Sequence, residues 1–346
     1  MRVLIIKTSS MGDIIHTLPA LTDAKQARGS ITFDWVVEEN FAEIPRWHPA
    51  VDDVIGVAIR RWRKNPIKNW NSNEWKQCRT HLRKRHYDLI IDAQGLVKTS
   101  WISRIAKGPT AGYDKKSVRE SIASWFYRYK FAVPKDMHAV ERIRHLFAQA
   151  LDYTKPDTKA DYGIDRRRFC SATPESPNIV FLHSTTRDDK HYPEIYWRQL
   201  AQKLTADGYR VRLPWGADHE RDRAYRIAEG IAGVEVLPRL SLHAVAGVLA
   251  QACAVVAVDT GLGHLTAALN IPAVSLYGPT SPALVGAYGE NQVHLCAADF
   301  GEPIAGVEPA VFSALTVDHV YQQLQLLLGQ TSTSASAAAT KSSLAS

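Results

Sequence analysis

At 346 residues, 45% hydrophobic and 22% charged, the chain has the composition of a folded protein large enough for two α/β domains of roughly 150 residues each. No apolar run reaches the ~18 residues of a membrane span, and residues 3–6 are too short for a signal peptide; Cys78, Cys170, Cys253 and Cys296 lie too far apart for a disulfide framework or a zinc site, which fits a reducing cytosol. The net charge of +7 is lopsided: residues 1–150 hold 26 Lys and Arg against 15 Asp and Glu, residues 151–346 hold 16 against 20, and 60–130 alone holds 18 against 5.

In chain order, the apolar run 3–6, the polar loop 8–13 and the amphipathic stretch 14–27 read as strand, loop and helix, the opening unit of a doubly wound sheet. Strands are expected at 32–38, 53–59 and 88–92, and helices at 74–86, 96–107, 117–129 and 138–151. Between residues 152 and 176 periodicity is lost and prolines gather, as in a linker. A second alternation follows, with strands at 178–183, 209–213, 234–237, 254–258 and 273–277. Its helices fall at 193–207, 218–230, 241–251 and 262–269. The expected class is therefore α/β, two Rossmann-like doubly wound domains facing across a cleft, at 1–160 and 177–315. A closing helix at 316–329 and a disordered Ser/Ala-rich tail at 330–346 complete the chain.

Ligands of open α/β sheets gather at the carboxyl ends of strands, so the strand-to-helix loops hold the candidates. The first loop has no G-x-G-x-x-G and is not a dinucleotide site. Its Asp13 is placed either as a general base or as the cap of the next helix. His16, one turn on, either orients Asp13 or packs. In the loop after 178–183, Thr185, Thr186, Arg187 and Lys190 offer hydroxyls and cations just before a helix start, which suits a diphosphate. The pair Asp188 and Asp189, flanked by Arg187 and Lys190, reads as charge compensation rather than a metal site. After 254–258, Asp259, Thr260, Gly261, Gly263 and His264 open a helix; two glycines permit close backbone approach, and Asp259 could accept from sugar hydroxyls. Glu220 reads either as a ribose partner or as a first-turn helix acid. Arg60, Arg61, Arg63 and Lys64, with Arg119 further on, suit carboxylates or phosphates. No helix-turn-helix, zinc-finger or RNP pattern supports nucleic acid, so small anionic acceptors come first.

Four separated segments, VLIIKTSSMGDIIHTLPAL at 3–21, DAQGL at 92–96, HSTTRDDKHYP at 183–193 and DTGLGHLTAAL at 259–269, together resemble the ADP-heptose:lipopolysaccharide glycosyltransferase family, over residues 1 to about 328. The resemblance implies a GT-B architecture and an inverting, metal-independent heptosyltransferase with no cofactor. The donor would be ADP-L-glycero-β-D-manno-heptose and the acceptor a Kdo residue of Kdo2-lipid A. The enzyme would be peripheral on the cytoplasmic face of the inner membrane, against its anionic surface. Carried over by residue, Asp13 is the base, Thr185, Thr186 and Lys190 hold the diphosphate, Glu220 the ribose, and Asp259 the heptose. Thr260, Gly261 and His264 complete the donor pocket, Leu240 stands near the adenine, and Arg60, Arg61, Arg63, Lys64 and Arg119 meet the acceptor's acid groups. Three positions depart from the pattern: Gly263 for an expected Ser, Leu240 for Met and Tyr192 for Trp. The rivals are a sister enzyme that adds the second inner-core heptose, a non-catalytic nucleotide-sugar-binding protein, and a nucleic-acid binder.

Overall fold

The computed structural model describes residues 1–64, 72–170 and 176–343, the last thirteen of these by backbone alone. Two compact units emerge, Met1–Ile164 and Asp165–Ser346. Each is built on six parallel strands. In the first unit these are β1 (Arg2–Ile6), β2 (Thr32–Glu38), β3 (Val51–Val57), β4 (Leu89–Asp92), β5 (Thr110–Tyr113) and β6 (Tyr129–Phe131), ordered β3-β2-β1-β4-β5-β6. The second unit repeats that winding with β7 (Asn178–Leu182), β8 (Arg210–Leu213), β9 (Val234–Val236), β10 (Ala254–Val258), β11 (Ala273–Tyr277) and β12 (Gln292–Cys296), ordered β12-β11-β10-β7-β8-β9. The expected α/β class and doubly wound, Rossmann-like sheets are what the chain has.

The central strands explain themselves. A parallel sheet covered by helices on both faces needs strands that are apolar on both sides. Residues 3–6 of β1 and all of β4, β7, β10 and β11 are buried, with Ile5 lying between Trp35 of β2 and Ile91 of β4. In the second unit, Phe181, Tyr192, Trp197 and Phe312 are fully buried, and the closing helix seats Val317, Val320, Leu324 and Leu327 in the same core.

Several expectations need correction. The helix read at 14–27 is two, Met11–Ile15 and Leu18–Ala27, because Pro19 has no N–H to continue the ladder and Thr17 Oγ1 turns back to the Asp13 carbonyl at 2.9 Å. Residues 117–129 form no α-helix; they make a 3-10 turn, Ser121–Phe126, and lead into β6. There Asp114 Oδ1 accepts from the Lys116 and Ser117 N–H groups at 3.1 and 2.7 Å, while the Tyr127 hydroxyl donates to buried Asp92 at 2.7 Å. Local side-chain bonds and one buried anchor override the helical periodicity. Strands β5, β6 and β12 were not expected. Gly112 in β5 is required, since a Cβ there would overlap the Tyr127 ring. The last helix, Val317–Ser343, runs through most of the segment expected to be a disordered tail; residues 344–346 lie outside the described ones.

Helix Ala139–Leu151 is fastened to helix Leu18–Ala27 by a buried ion pair. Arg144 Nε and Nη2 donate to the Asp23 carboxylate at 2.7 and 3.2 Å, and Nη1 donates to Glu141 at 2.8 Å. Nη2 also reaches the carbonyls of Pro156 and Thr158 at 3.2 and 3.0 Å. One guanidinium thus ties two helices to the segment leaving the unit. Replacing Asp23 by Asn leaves the buried cation short of charge, so D23N should lower unfolding stability by about 3 kcal/mol or more, measured as a shift in the urea midpoint with little change in slope.

Candidate functional site

In both units the order of strands reverses between two central neighbours, β1 and β4 in the first, β7 and β10 in the second. Connections leave such a pair toward opposite faces, and the space outside the carboxyl ends is where ligands bind. Every motif singled out in the sequence except the basic cluster, Glu220 and Leu240 falls on one of these four loops.

In the first unit, Asp13 sits in the first turn of helix Met11–Ile15. Its Oδ2 accepts from the Ser10 N–H and hydroxyl at 2.8 and 3.1 Å, so Ser10 rather than Asp13 is the N-cap, and Asp13 closes a capping box from the third helical position. Its Oδ1 faces Lys7 Nζ at 3.4 Å, and 36% of the side chain remains exposed. Burial works against the charged carboxylate; Lys7 and the Ser10 donors outweigh it and hold Asp13 below the ordinary range. Asp13 is therefore a capping-box acid and an ionised, reachable carboxylate at once. Lys7, buried at the end of β1, also donates to the Ala93 carbonyl at 3.1 Å. Gln94 Oε1 accepts from the Thr8 and Ser9 N–H groups at 3.0 and 3.2 Å, stitching the two central loops together. Asp92 anchors that second loop: it accepts from the Gln94 and Gly95 N–H groups and from Thr99 and Tyr127 hydroxyls. Burial raises its pKa against these donors. His16 is buried and meets the His138 ring edge-on at 5.3 Å, so it packs.

The basic residues after β3 divide. Arg61 is held by Glu39 and Glu74, at 3.2 and 2.6 Å. Glu38 accepts from the Ile59 and Arg60 N–H groups at 3.1 and 2.9 Å, fixing the short helix Ile59–Trp62. The side chains of Arg60, Arg63, Lys64 and Arg119 are exposed. Lys98, which the sequence reading passed over, belongs with them: burial first, then Arg63 and Arg60, lower its pKa.

In the second unit the loops after β7 and β10 meet. Lys190 Nζ contacts Asp259 Oδ2 at 2.5 Å, both side chains about one-seventh exposed. Thr280, also missed in the sequence, donates to the same oxygen at 2.9 Å, and Thr185 Oγ1 donates to the Asp259 carbonyl at 2.9 Å. Thr186 is exposed beside them. Arg187 pairs with Asp189, the expected charge compensation. Among the described residues no group of three or more His, Cys, Asp or Glu is placed to hold a metal. Thr260 is the N-cap of helix Gly261–Ala268, and no side chain caps that end. The Gly261 end thus offers backbone N–H groups and the positive pole of a helix. His264 is buried in its first turn. A Cβ on Gly263 would find Ala257 Cβ at 3.7 Å and Thr260 Cγ2 at 3.9 Å, ordinary contacts that leave room for a Ser. Tyr192 satisfies its hydroxyl on the Leu315 carbonyl at 2.8 Å.

Glu220 Oε2 accepts from the Gly216 and Ala217 N–H groups at 2.7 and 3.0 Å, capping helix Asp218–Ala228. Leu240 lines a cavity of about 580 Å³ with Phe169, Leu237, Pro238, Arg168 and Arg212.

Known proteins share this sequence and fold. Residues 75–308 match the model of "Glycosyltransferase family 9 (heptosyltransferase)". The lipopolysaccharide heptosyltransferase 1 of Pseudomonas aeruginosa is 58% identical over 296 residues, 85% of this chain and 83% of that protein. The solved structure of E. coli heptosyltransferase WaaC with ADP superposes with a TM-score of 0.87 at 52% identity, covering 94% of this chain and 100% of that one. The same enzyme with ADP-2-deoxy-2-fluoro heptose gives 0.83 at 52% identity, over 94% and 99%. The chain belongs to glycosyltransferase family 9, the heptosyltransferases.

Proposed function

We infer that the chain transfers L-glycero-D-manno-heptose from ADP-heptose to a Kdo hydroxyl of Kdo2-lipid A, with inversion, at the cytoplasmic face of the inner membrane. The observation that carries the reading is Asp13, an ionised carboxylate with one oxygen committed to its loop and the other turned to Lys7 and solvent. The Asp13 carboxylate takes the acceptor proton as the hydroxyl oxygen attacks the heptose anomeric carbon. The bond from that carbon to the diphosphate oxygen breaks on the opposite side, and ADP departs carrying the negative charge.

The second unit provides for that charge. Lys190, Thr185, Thr186 and the uncapped Gly261 end of a helix converge on one place, and such preorganised positive groups act most strongly on charge that grows in the transition state. They supply what a divalent metal would supply elsewhere. Lys190 and Asp259 are paired to each other, so an arriving diphosphate exchanges one anionic partner of Lys190 for another, which releases Asp259 and Thr280 for heptose hydroxyls. The remaining donor roles follow: Glu220 keeps the ribose loop in shape and meets its hydroxyls, the apolar wall at Leu240 takes the adenine, and Thr260 and His264 close the pocket. Arg60, Arg63, Lys64 and Arg119 are the groups for Kdo carboxylates and lipid phosphates, with Arg61 bracing the loop through its two glutamates. That cluster favours an acid-bearing acceptor over the neutral heptose used in adding a second heptose.

Incubation with ADP-heptose and Kdo2-lipid A, followed by mass analysis of the lipid, should show one added heptose. Asp13→Ala should lower transfer by about a thousandfold while ADP binding by calorimetry stays within about twofold; loss of nucleotide binding would remove Asp13 from the role of base. Lys7→Met tests the tuning. Lys7 is the largest influence lowering the Asp13 pKa, so without it the carboxyl protonates at higher pH. The acid limb of the kcat/KM profile should therefore move to higher pH. An unmoved limb would assign that limb to another group.

A further inference from the structure

The first unit also carries an apolar surface that none of this chemistry uses. Helix Val97–Ser103 packs against the turn Ser121–Phe126, whose chain continues into β6, the last strand of its sheet. From these neighbours project Trp101, 38% exposed, Ile122, 51%, Trp125, 72%, and Tyr129, 44%. Trp125 is the most exposed large apolar side chain among the described residues. The fold does not require this, because Ala123 and Tyr127 already fill the inward positions of the same turn. Trp101 stacks on Trp75 at 5.7 Å and 12°, which holds its ring in place before anything binds.

Exposed cations flank these residues in sequence: Arg104, Lys107, Arg128 and Lys130. Arg128 lies 5.5 Å from the Tyr129 ring centroid, and among the described residues none of the four is in an ion pair. The nearest acid in sequence, Glu120, is taken up by the Val97 N–H at 2.7 Å. Indole and phenol rings with an aliphatic side chain, flanked by Lys and Arg, match the layer where acyl chains meet anionic headgroups. There amphipathic rings settle and cations are drawn to the negative surface. A clustered apolar patch on a soluble surface otherwise needs a partner.

We propose that this face, Trp101, Ile122, Trp125 and Tyr129 with their four cations, docks the first unit on an anionic lipid bilayer. The proposal rests on the reading of the acceptor as a lipid-borne sugar: an enzyme whose acceptor lies in a membrane gains from a surface that holds it there. Ile122 and Trp125 enter the headgroup layer, and Arg104, Lys107, Arg128 and Lys130 meet lipid phosphates.

The test is co-sedimentation of the full chain with vesicles of phosphatidylethanolamine and phosphatidylglycerol, read without any substrate, so that it reports on the face whether or not transfer occurs. The unaltered chain should bind, and should bind vesicles of phosphatidylcholine alone much more weakly. The doubly altered chains Ile122→Ser with Trp125→Ser, and Arg128→Glu with Lys130→Glu, should each lose on the order of tenfold in partitioning. Their thermal unfolding should match the parent, as should their transfer to a water-soluble Kdo acceptor without lipid. Equal vesicle binding by parent and altered chains, or none by the parent, would overturn the proposal. So would a parent dimer that I122S/W125S converts to monomer in analytical ultracentrifugation, which would make the patch a protein interface, or single-stranded nucleic acid binding lost in the same variants.

Discussion

The constraint on which both sites depend is the winding of the sheets. When a parallel sheet is ordered 3-2-1-4-5-6, its first and fourth strands are hydrogen-bonded neighbours whose following segments diverge. In the first unit those strands are β1 and β4, in the second β7 and β10. The backbone geometry alone brings the Asp13 loop beside the Asp92–Gln94 loop, and the Lys190 loop beside Asp259. Nothing in the linear sequence relates residue 190 to residue 259; the parallel register of Ala257 with Leu182 does.

Each crevice then receives the same three chemical parts: a carboxylate, a lysine and a hydroxyl. In the first they are Asp13, Lys7 and Ser10; in the second, Asp259, Lys190 and Thr280. The differences matter more than the likeness. Lys7 is buried, bonded to the Ala93 carbonyl and 3.4 Å from Asp13, so it acts as a fixed field that keeps the carboxylate ionised without occupying it fully. Lys190 touches Asp259 at 2.5 Å from a short turn, Asp188–Lys190, a partner that the proposed mechanism exchanges for an anionic ligand. In the proposed mechanism the first arrangement removes a proton and the second binds the charge that is to leave.

How much of this was legible followed from burial. Strands apolar on both faces, such as β1, β4, β7, β10 and β11, announce themselves. Three strands at or toward the edges do not: β6 is exposed along its first two residues, β12 is only partly buried, and β5 contains Gly112. The segment 117–129 misled because its periodicity is genuine while its conformation is decided by Asp114 and by Tyr127 anchored on Asp92. Asp13, Lys190 and Asp259 stand out as candidates because polar residues ending apolar strands are conspicuous. Lys7 was not, since a lysine there looks like the strand's own boundary, and Thr280 was lost in the run GPTSP, which reads as a turn. Glu220 and Asp13 show a further limit: spacing offered a cap or a functional acid, and both carboxylates do bond back to the N-cap N–H of their helices.

The departures from the family pattern are informative because the structure absorbs two of them differently. At Gly263 the lost side chain would have met only Ala257 and Thr260 at ordinary distance, so the glycine adds backbone access at the Gly261 end of the helix and removes no structural contact. At Tyr192 the smaller ring is fully buried, yet its hydroxyl reaches the Leu315 carbonyl. A buried polar group without a partner would cost about 1–3 kcal/mol; here it instead ties the segment following the Lys190 turn to the residues that lead into the closing helix. Tyr192 also packs edge-on against Trp197 at 5.5 Å and Phe312 at 5.8 Å. The Lys190 turn therefore leads directly into a rigid aromatic cluster. Its position relative to Asp259 is set by the core of the second unit as well as by the ion pair, so the loop does not depend on the pair alone.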